Sequence, residues 1–256
     1  MADLVLPGCC AGCGAQRVRL SAGVCAPCVR VLEAMRPYAA APEPRPAGLP
    51  PCVAVGAYGG ALRGVLLAYK EKGRHRLARP LGALLAGAVA QVAGDVGVPL
   101  LVVPVPSTSR AARQRHGDHL ARLAGHAVRR LRVAGWPATV VRPLKALPRP
   151  DSAGLDTPGR LAAAESSLRI RPAGMRHLHR GVMMGGMLIV VDDIITTGAT
   201  LATVTHRLAE ADLQVSGVAV LAATRLRRTV AGGTAGLALD GTEWANSRGT
   251  GSPNEG

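Results

Sequence analysis

Two neighbouring carboxylates stand directly before a loop of hydroxyl side chains and one glycine. Asp192 and Asp193 lie near the end of a mostly apolar run that begins at Met187, and residues 196–200 then read Thr-Thr-Gly-Ala-Thr. The run is typical of a buried strand, and the residues after Gly198 have the apolar spacing of a helix. A glycine at this junction can adopt positive φ and turn several backbone N–H groups into one concavity at the positive end of the helix. The pattern predicts an anion site, to which three hydroxyls contribute: Thr196, Thr197 and Thr200.

The two carboxylates need a partner other than the anion. They would repel a phosphate placed against them, so we expect Asp192 and Asp193 to face hydroxyl groups, a metal ion, or both on the same ligand. A sugar phosphate meets this requirement, because its phosphate can occupy the loop while its ring hydroxyls donate to the carboxylates.

The same stretch has two other interpretations. An apolar strand followed by Asp-Asp also holds Mg²⁺ in P-loop NTPases, but these need a G-x-x-x-x-G-K-[ST] run, which the sequence lacks. Alternatively, Thr196 simply caps a helix while the two aspartates are solvated. That explanation suits an isolated Asp-Asp pair, whereas the full order of strand, Asp-Asp, two variable residues, Thr-Thr-Gly-x-Thr and helix favours the sugar-phosphate site.

Two C-x-x-C pairs near the start of the chain have the spacing of a structural zinc site. They supply four thiolates: Cys10, Cys13, Cys25 and Cys28. This spacing matches a tetrahedral Zn²⁺ ribbon or knuckle, and disulfides are not expected in a cytosolic protein. Cys9 is an alternative ligand beside Cys10, and a degenerate site that binds no metal is the other interpretation. Residues 1–35 are therefore interpreted as a small zinc-ribbon-like module with four cysteine ligands.

The rest of the chain alternates strand-like and helix-like segments. Of its 256 residues, 48% are apolar and none is phenylalanine, so we expect an aliphatic core large enough for one main domain. The alternation predicts an α/β fold with a mostly parallel sheet flanked by helices, which binds ligands at the carboxyl ends of its strands. The predicted divisions are a proline-rich linker (36–52), the main domain (53–228) and a disordered tail (229–256). Within the main domain, residues 143–168 are predicted to form a long surface loop.

The formal net charge of +15 has two explanations. A basic face would bind phosphates or nucleic acid. However, the chain has 28 arginines against 3 lysines, which indicates a GC-rich coding bias, and aromatic residues for stacking bases make up only 2%. The longest apolar stretch is interrupted by Asp95, glycines and Pro99, so no membrane span is predicted. With no basic and apolar leader before Cys9, the expected compartment is the cytoplasm.

The run "VVDDIITTGAT" closely resembles the phosphoribosyl-pyrophosphate (PRPP) motif of type I phosphoribosyltransferases. Together with an N-terminal module of four cysteines it resembles the ComF (competence protein F) family, to which segments 57–82, 103–124 and 149–163 are also similar, in the same order. The resemblance implies the type I phosphoribosyltransferase fold. It implies that Asp192 and Asp193 hold the ribose 2′- and 3′-hydroxyls and that Mg²⁺ bridges pyrophosphate and ribose oxygens. The 5′-phosphate would be held by the whole loop: Thr196, Thr197, Gly198, Ala199 and Thr200.

Type I phosphoribosyltransferases displace pyrophosphate from the ribose C1 with a nitrogen nucleophile, through a transition state that resembles an oxocarbenium ion. Such a site needs groups that position the ligand and balance charge, and no protein nucleophile. The resemblance implies four catalytic residues: Asp192, Asp193, Lys70 and Arg160. It also implies that Ser107 and Arg110 hold pyrophosphate with help from Lys70, and that Arg160 reaches it from a loop that closes over the site.

The basic residues of this set also have an alternative interpretation without a role in the site. Lys70, Arg110 and Arg160 are equally consistent with solvated surface charges. His116 and His119 are interpreted as surface residues at a basic helix start rather than as catalysts.

The sequence departs from the ComF pattern where the leaving group or acceptor would be contacted. The Arg-Gly-Phe-Asn run common in the family is replaced by Arg-His-Gly-Asp at 115–118, and the usual asparagine three residues after the loop arginine is Ala163. The acceptor and turnover therefore stay open. The alternative function is a PRPP- or nucleotide-binding protein with little turnover that acts in DNA uptake, contacting single-stranded DNA or a DNA-processing partner. A third possibility is that the zinc module docks another protein.

Overall fold

The computed structural model describes residues 8–94, 97–108, 117–147 and 167–224, together with the backbone of 226–229. Several predicted features lie outside these residues and are not described further. They are Arg110, His116, Arg160, most of the 143–168 loop and nearly all of the 229–256 tail.

Within the described residues, one seven-stranded sheet organises the fold, in the order β11-β3-β4-β10-β9-β5-β6. The five strands from β4 to β6 in this order run parallel, and β3 and β11 extend one edge antiparallel. The strands are β3 (Tyr38–Pro42), β4 (Cys52–Ala57), β5 (Leu100–Pro104), β6 (Ala138–Val140), β9 (Met187–Ile195), β10 (Gly217–Ala223) and β11 (Leu226–Thr229). Two short antiparallel pairs lie outside the sheet: β1 (Leu20–Ser21) with β2 (Val24–Cys25), and β7 (Leu144–Ala146) with β8 (Leu168–Ile170).

Helices flank this sheet, which confirms the predicted α/β architecture with a mostly parallel sheet. They are α1 (Ala26–Glu33), α2 (Gly60–Glu71), α3 (Ala78–Ala93), α4 (His119–Val133), α5 (Pro172–Met183) and α6 (Ala199–Ala209). Helices α3 and α4 pack against each other; α3 also contacts β4 and β10, whereas α4 contacts β5 and β6. Among the described residues, no helix is both long and apolar enough to cross a membrane.

The central strands are apolar on both faces, as expected for parallel strands covered by helices. Every residue of β5 and β10 is buried, and so are residues 188–191 of β9. Leu, Val and Ala make up most of this core, in keeping with the absence of phenylalanine. The polar residues at the carboxyl ends of these strands therefore stand out as candidates for function.

The predicted linker at 36–52 is corrected by the structure. Residues 38–42 form strand β3, which pairs with β4 through Ala39↔Val53 and with β11 through Ala41↔Arg227. The six prolines of this segment obscured a strand that uses a proline only at its last position, where a missing backbone N–H costs least. The predicted surface loop at 143–168 likewise begins with β7 and ends with β8. Helix α5 was not predicted.

Candidate functional site

The loop at 196–200 has the backbone that the sequence predicts. Strand β9 ends at Ile195, and Gly198 adopts φ +74° immediately before α6. Gly198 is buried beneath the segment after β3, because a Cβ at this position would lie 3.0 Å from Pro42 and 3.1 Å from Leu49. Two constraints thus require glycine here, the left-handed backbone and the lack of space. The other four loop residues are exposed: Thr196, Thr197, Ala199 and Thr200.

A small concavity is formed by this loop and by Asp192. Asp192 is partly exposed, and its Oδ1 accepts a hydrogen bond of 2.8 Å from the backbone N–H of Asp193. Burial and the neighbouring Asp193 charge raise the pKa of Asp192 to about 8. Hydrogen bonds donated by a ligand would stabilise the ionised form of this carboxyl group and lower its pKa.

Asp193 lies on the opposite side of β9, since successive side chains of a strand alternate between its faces. It is only 5% exposed, and the described residues that line the concavity do not include it. Its Oδ2 is 2.8 Å from Lys70 Nζ and 2.9 Å from His119 Nε2. Burial opposes ionisation of Asp193, but the hydrogen bonds and charge of these partners outweigh it and lower the pKa to about 2. Asp192 therefore faces the loop concavity, whereas Asp193 faces the other side of β9 and is bound by Lys70 and His119.

The interpretation of His119 as a surface residue is wrong. His119 is 6% exposed, and its ring meets that of Tyr69 edge-on, with centroids 6.2 Å apart. The Tyr69 hydroxyl also donates to the backbone carbonyl of His119 at 2.7 Å. Asp118 caps α4 by accepting a hydrogen bond from the Ala121 N–H, which fixes His119 as the first residue of the helix.

Lys70 contacts the buried Asp193 and is itself partly buried rather than fully solvated. It lies in the last turn of α2, and its side chain is 18% exposed. We call Tyr69, Lys70, His119 and Asp193 the Asp193 cluster. Ser107 follows β5, which pairs with β9 through Pro104↔Val191, so it lies at the same carboxyl edge of the sheet. The other predicted pyrophosphate contacts, Arg110 and Arg160, lie outside the described residues.

The cysteine cluster forms as the spacing predicts. Among the described residues, the Sγ atoms of four cysteines all lie within 4.8 Å of one another: Cys10, Cys13, Cys25 and Cys28. The Cys13 and Cys25 sulfurs are 3.7 Å apart, close to the ~3.8 Å edge of a tetrahedron with Zn–S bonds of about 2.3 Å. Cys10 Sγ also accepts from the backbone N–H groups of Gly12 and Cys25, as outer-shell donors do for metal thiolates. These four residues fit a structural metal such as zinc.

Cys9 does not replace Cys10 in this cluster. Its Sγ lies 3.2 Å from a guanidinium nitrogen of Arg74, and its carbonyl oxygen accepts from the same side chain at 2.7 Å. The open question of register is thereby answered in favour of Cys10.

The cysteine module, residues 8–33, packs directly on α2. A Cβ at Gly64 of α2 would collide with the carbonyl oxygen of Gly12, and a Cβ at Gly12 would lie 2.9 Å from Cys28 Sγ. The buried cysteines belong to the same hydrophobic core as the sheet. Helix α2 therefore contacts the cysteine module near its start and carries Lys70 in its last turn.

No protein-family model matches the chain, and no curated protein matches it either. The function of the site is therefore inferred from the geometry and chemistry of these residues.

Proposed function

We propose that this chain binds a phosphoribosyl ligand, PRPP with Mg²⁺, at the carboxyl edge of its sheet and transfers the phosphoribosyl group to a nitrogen acceptor. The observation that carries this proposal is the positive-φ turn at Gly198 beside Asp192. This turn combines exposed N–H and hydroxyl donors with a carboxylate at the end of a parallel strand, which is where such sheets bind ligands. The resemblance to type I phosphoribosyltransferases supports the same conclusion.

In the proposed complex the 196–200 loop and the start of α6 bind the 5′-phosphate. Asp192 accepts hydrogen bonds from the ribose hydroxyls, and this stabilises its ionised form against the burial that raises its pKa. Mg²⁺, held by oxygens of the ligand, would neutralise charge on the departing pyrophosphate. No nucleophilic side chain is needed, because positioning and charge balance suffice for this displacement.

The Asp193 cluster is proposed to fix the carboxyl end of β9 rather than to contact the hydroxyls. Lys70 and His119 hold a permanent negative charge next to Asp192. That charge contributes to the raised pKa of Asp192. The cluster also ties α2 and α4 to β9, and so orients the strand end from which the loop starts.

Calorimetric titration with PRPP and Mg²⁺ tests the proposal. We expect saturable binding by the wild-type chain and a loss of at least about tenfold in affinity for Asp192→Asn, because charged hydrogen bonds to the ribose are removed. Asp212→Asn is the matched control, since this exposed residue follows the far end of α6. Absence of PRPP binding by the wild-type chain, or equal affinities for both variants, would contradict the proposed site.

The second candidate function is PRPP or nucleotide binding without turnover, in a protein that serves DNA uptake. The observation that favours it is the Asp193 cluster, in which one of the two motif carboxylates is already satisfied by Lys70 and His119. Pyrophosphate release from PRPP with a panel of nitrogen bases separates the two candidates. Turnover supports the transferase, whereas tight PRPP binding with no release in any reaction supports the binding protein.

A further inference from the structure

A cavity lies between the cysteine module and the connection from α2 to α3, residues 72–77. Its volume is about 650 Å³, within the roughly 300–1,000 Å³ of small-molecule sites. We call it the junction cavity. The side chains that give it its chemistry are Cys9, Leu20 and Ala22 on the module wall and Arg74, Arg76 and Leu77 on the wall of the connection.

The formal charges on the described lining of the junction cavity are all positive. Arg74 and Arg76 supply two guanidinium groups, and no aspartate or glutamate is among the described lining residues. Arg76 is exposed, and within the described part of the chain its side chain has no hydrogen bond or ion pair. Arg74 donates to the Cys9 carbonyl at 2.7 Å and to Cys9 Sγ at 3.2 Å. These bonds use two of the five N–H groups of a guanidinium, so Arg74 can hold the module and still donate to a ligand.

The rest of the chemistry of the junction cavity is largely apolar. Leu20 and Ala22 are partly buried, and Leu77 is buried. A cleft with low-dielectric walls and charges of one sign focuses its potential and attracts ligands of the opposite sign. The cavity therefore suits a small molecule that combines an anionic group with an apolar part.

We propose that the junction cavity binds a small phosphomonoester, with its phosphoryl group between Arg74 and Arg76 and its apolar part against Leu20 and Leu77. The charge balance selects this class. A phosphomonoester carries about −1.5 to −2 at pH 7 and can offset two guanidinium groups, whereas a single carboxylate offsets only one. Guanidinium groups also match phosphate oxygens in bidentate geometry. The described lining includes no residue of the 196–200 loop, so binding here is independent of the proposed transfer reaction.

The turn between β1 and β2 gives this cavity wall an unusual residue. Ala22 and Gly23 have φ of +48° and +85°, and a two-residue turn with both values positive favours Asn, Asp or Gly. Ala22 is strained in this conformation. Strained residues of this kind cluster at ligand sites, and an aspartate in place of Ala22 would put a carboxylate in the wall that faces Arg74 and Arg76.

Calorimetry with three probes tests the ligand class on the full-length chain. The probes are phenyl phosphate, which has both proposed parts, inorganic phosphate, which lacks the apolar part, and benzoate, which replaces the phosphoryl group by a carboxylate. We expect phenyl phosphate to bind at least about tenfold more tightly than either of the others. Equal or tighter binding of inorganic phosphate or benzoate would overturn the proposed class.

Hydrogen exchange locates the bound probe. Phenyl phosphate should slow exchange in both walls of the cavity, residues 20–24 and 73–77, because the ligand contacts both. Slower exchange at the 196–200 loop without any change in these two segments would place the probe at the other site and overturn the proposal.

Substitution of Ala22 separates charge from shape. Ala22→Asp should weaken phenyl phosphate binding at least about tenfold by placing a carboxylate beside the ligand. Ala22→Asn is the matched control, because it has nearly the same size and no charge and should retain most of the affinity. Both residues tolerate positive φ, so neither change should unfold the turn. Equal affinities in the two variants would overturn the site.

A substitution in the opposite wall gives a second test. Arg76→Gln removes one of the two guanidinium groups and should also weaken phenyl phosphate binding at least about tenfold. Arg180→Gln is its control, because Arg180 is an exposed arginine of α5 outside the described lining of the cavity. If Arg76→Gln binds phenyl phosphate as tightly as Arg180→Gln does, the junction cavity is not the phosphate site.

Discussion

The cysteine cluster and the Asp193 cluster are built by opposite means. The four thiolates come from one short stretch of chain, so that the bonded pairs Cys10–Cys25 and Cys13–Cys25 are 15 and 12 residues apart. The Asp193 cluster instead joins residues 50 and 74 positions apart, through Tyr69, His119 and Asp193. We expect a local cluster of this kind to depend on a bound metal, because so short a segment has little core of its own. The long-range cluster depends on the packing of α2 and α4 around the sheet.

Loss of a metal ligand is the largest effect that we expect. Cys28→Ser should abolish stoichiometric zinc and unfold the module, since structural zinc contributes about 10–16 kcal/mol to small domains. Elemental analysis of the purified chain gives the zinc content, and proteolysis reports the loosened module. Cys52→Ser is the matched control, because Cys52 is a buried thiol outside the cluster that donates to the Pro50 carbonyl. One zinc per chain in the Cys28 variant would show that the four thiolates do not form the site.

The same variant tests whether the two regions are coupled. Because the module packs on α2 through Gly12 and Gly64, its loss should free the helix that carries Lys70. Hydrogen exchange of α2 is expected to rise in Cys28→Ser, while exchange of the buried strand β10 stays slow. If α2 exchanges as in the wild-type chain, the two regions are independent.

Removal of the Asp193 charge is the next largest effect. Asp193→Asn leaves the partly buried Lys70 ammonium without its buried carboxylate partner, and we expect a loss of up to about 3–5 kcal/mol in the free energy of unfolding. The double variant with Lys70→Met should recover much of this loss, because no uncompensated charge remains. Denaturant unfolding measures both. If Asp193→Asn alone is as stable as the wild-type chain, the ion pair contributes nothing to the free energy of unfolding.

The difference between the clusters also explains what the sequence could predict. Ligand spacing and the Thr-Thr-Gly-Ala-Thr run are local patterns, so the cysteine cluster and the positive φ of Gly198 followed from them. The separation of Asp192 from Asp193 follows from the two-residue period of a strand, but the sequence alone did not show what each face contacts. His119 was missed because its burial depends on Tyr69 and Asp193, which are distant in the chain. Strand β3 was missed because the prolines of the 36–52 segment indicated a linker, and its pairing with β4 and β11 is not visible in the local pattern.

Substitution of the loop glycine, Gly198, is expected to have the next largest effect. Gly198→Val combines an unfavourable left-handed backbone with contacts to Pro42 and Leu49, so PRPP affinity should fall more than about tenfold. Gly185→Val is the control, since Gly185 has φ +78° and open space around its Cβ position. It should lose about 1–2 kcal/mol of stability from the backbone alone and retain PRPP binding. Equal PRPP affinity in both variants would exclude the loop as the phosphate site.

The pH dependence of stability separates the two aspartates. The pKa of Asp193 is lowered to about 2, so its stabilising contribution is present above about pH 4 and is lost as the pH falls towards 2. The pKa of Asp192 is raised to about 8, so the folded chain holds this proton more tightly than the unfolded chain. Its contribution is therefore complete below about pH 4 and is lost as the pH rises to about 8.

Melting curves across this range should show a melting temperature that falls from pH 4 to 8. This fall should flatten in Asp192→Asn and persist in Asp212→Asn, because only the first variant removes the group whose ionisation opposes folding. A decline that persists unchanged in Asp192→Asn would assign it to another group and remove the basis for a ligand-stabilised carboxylate at the loop.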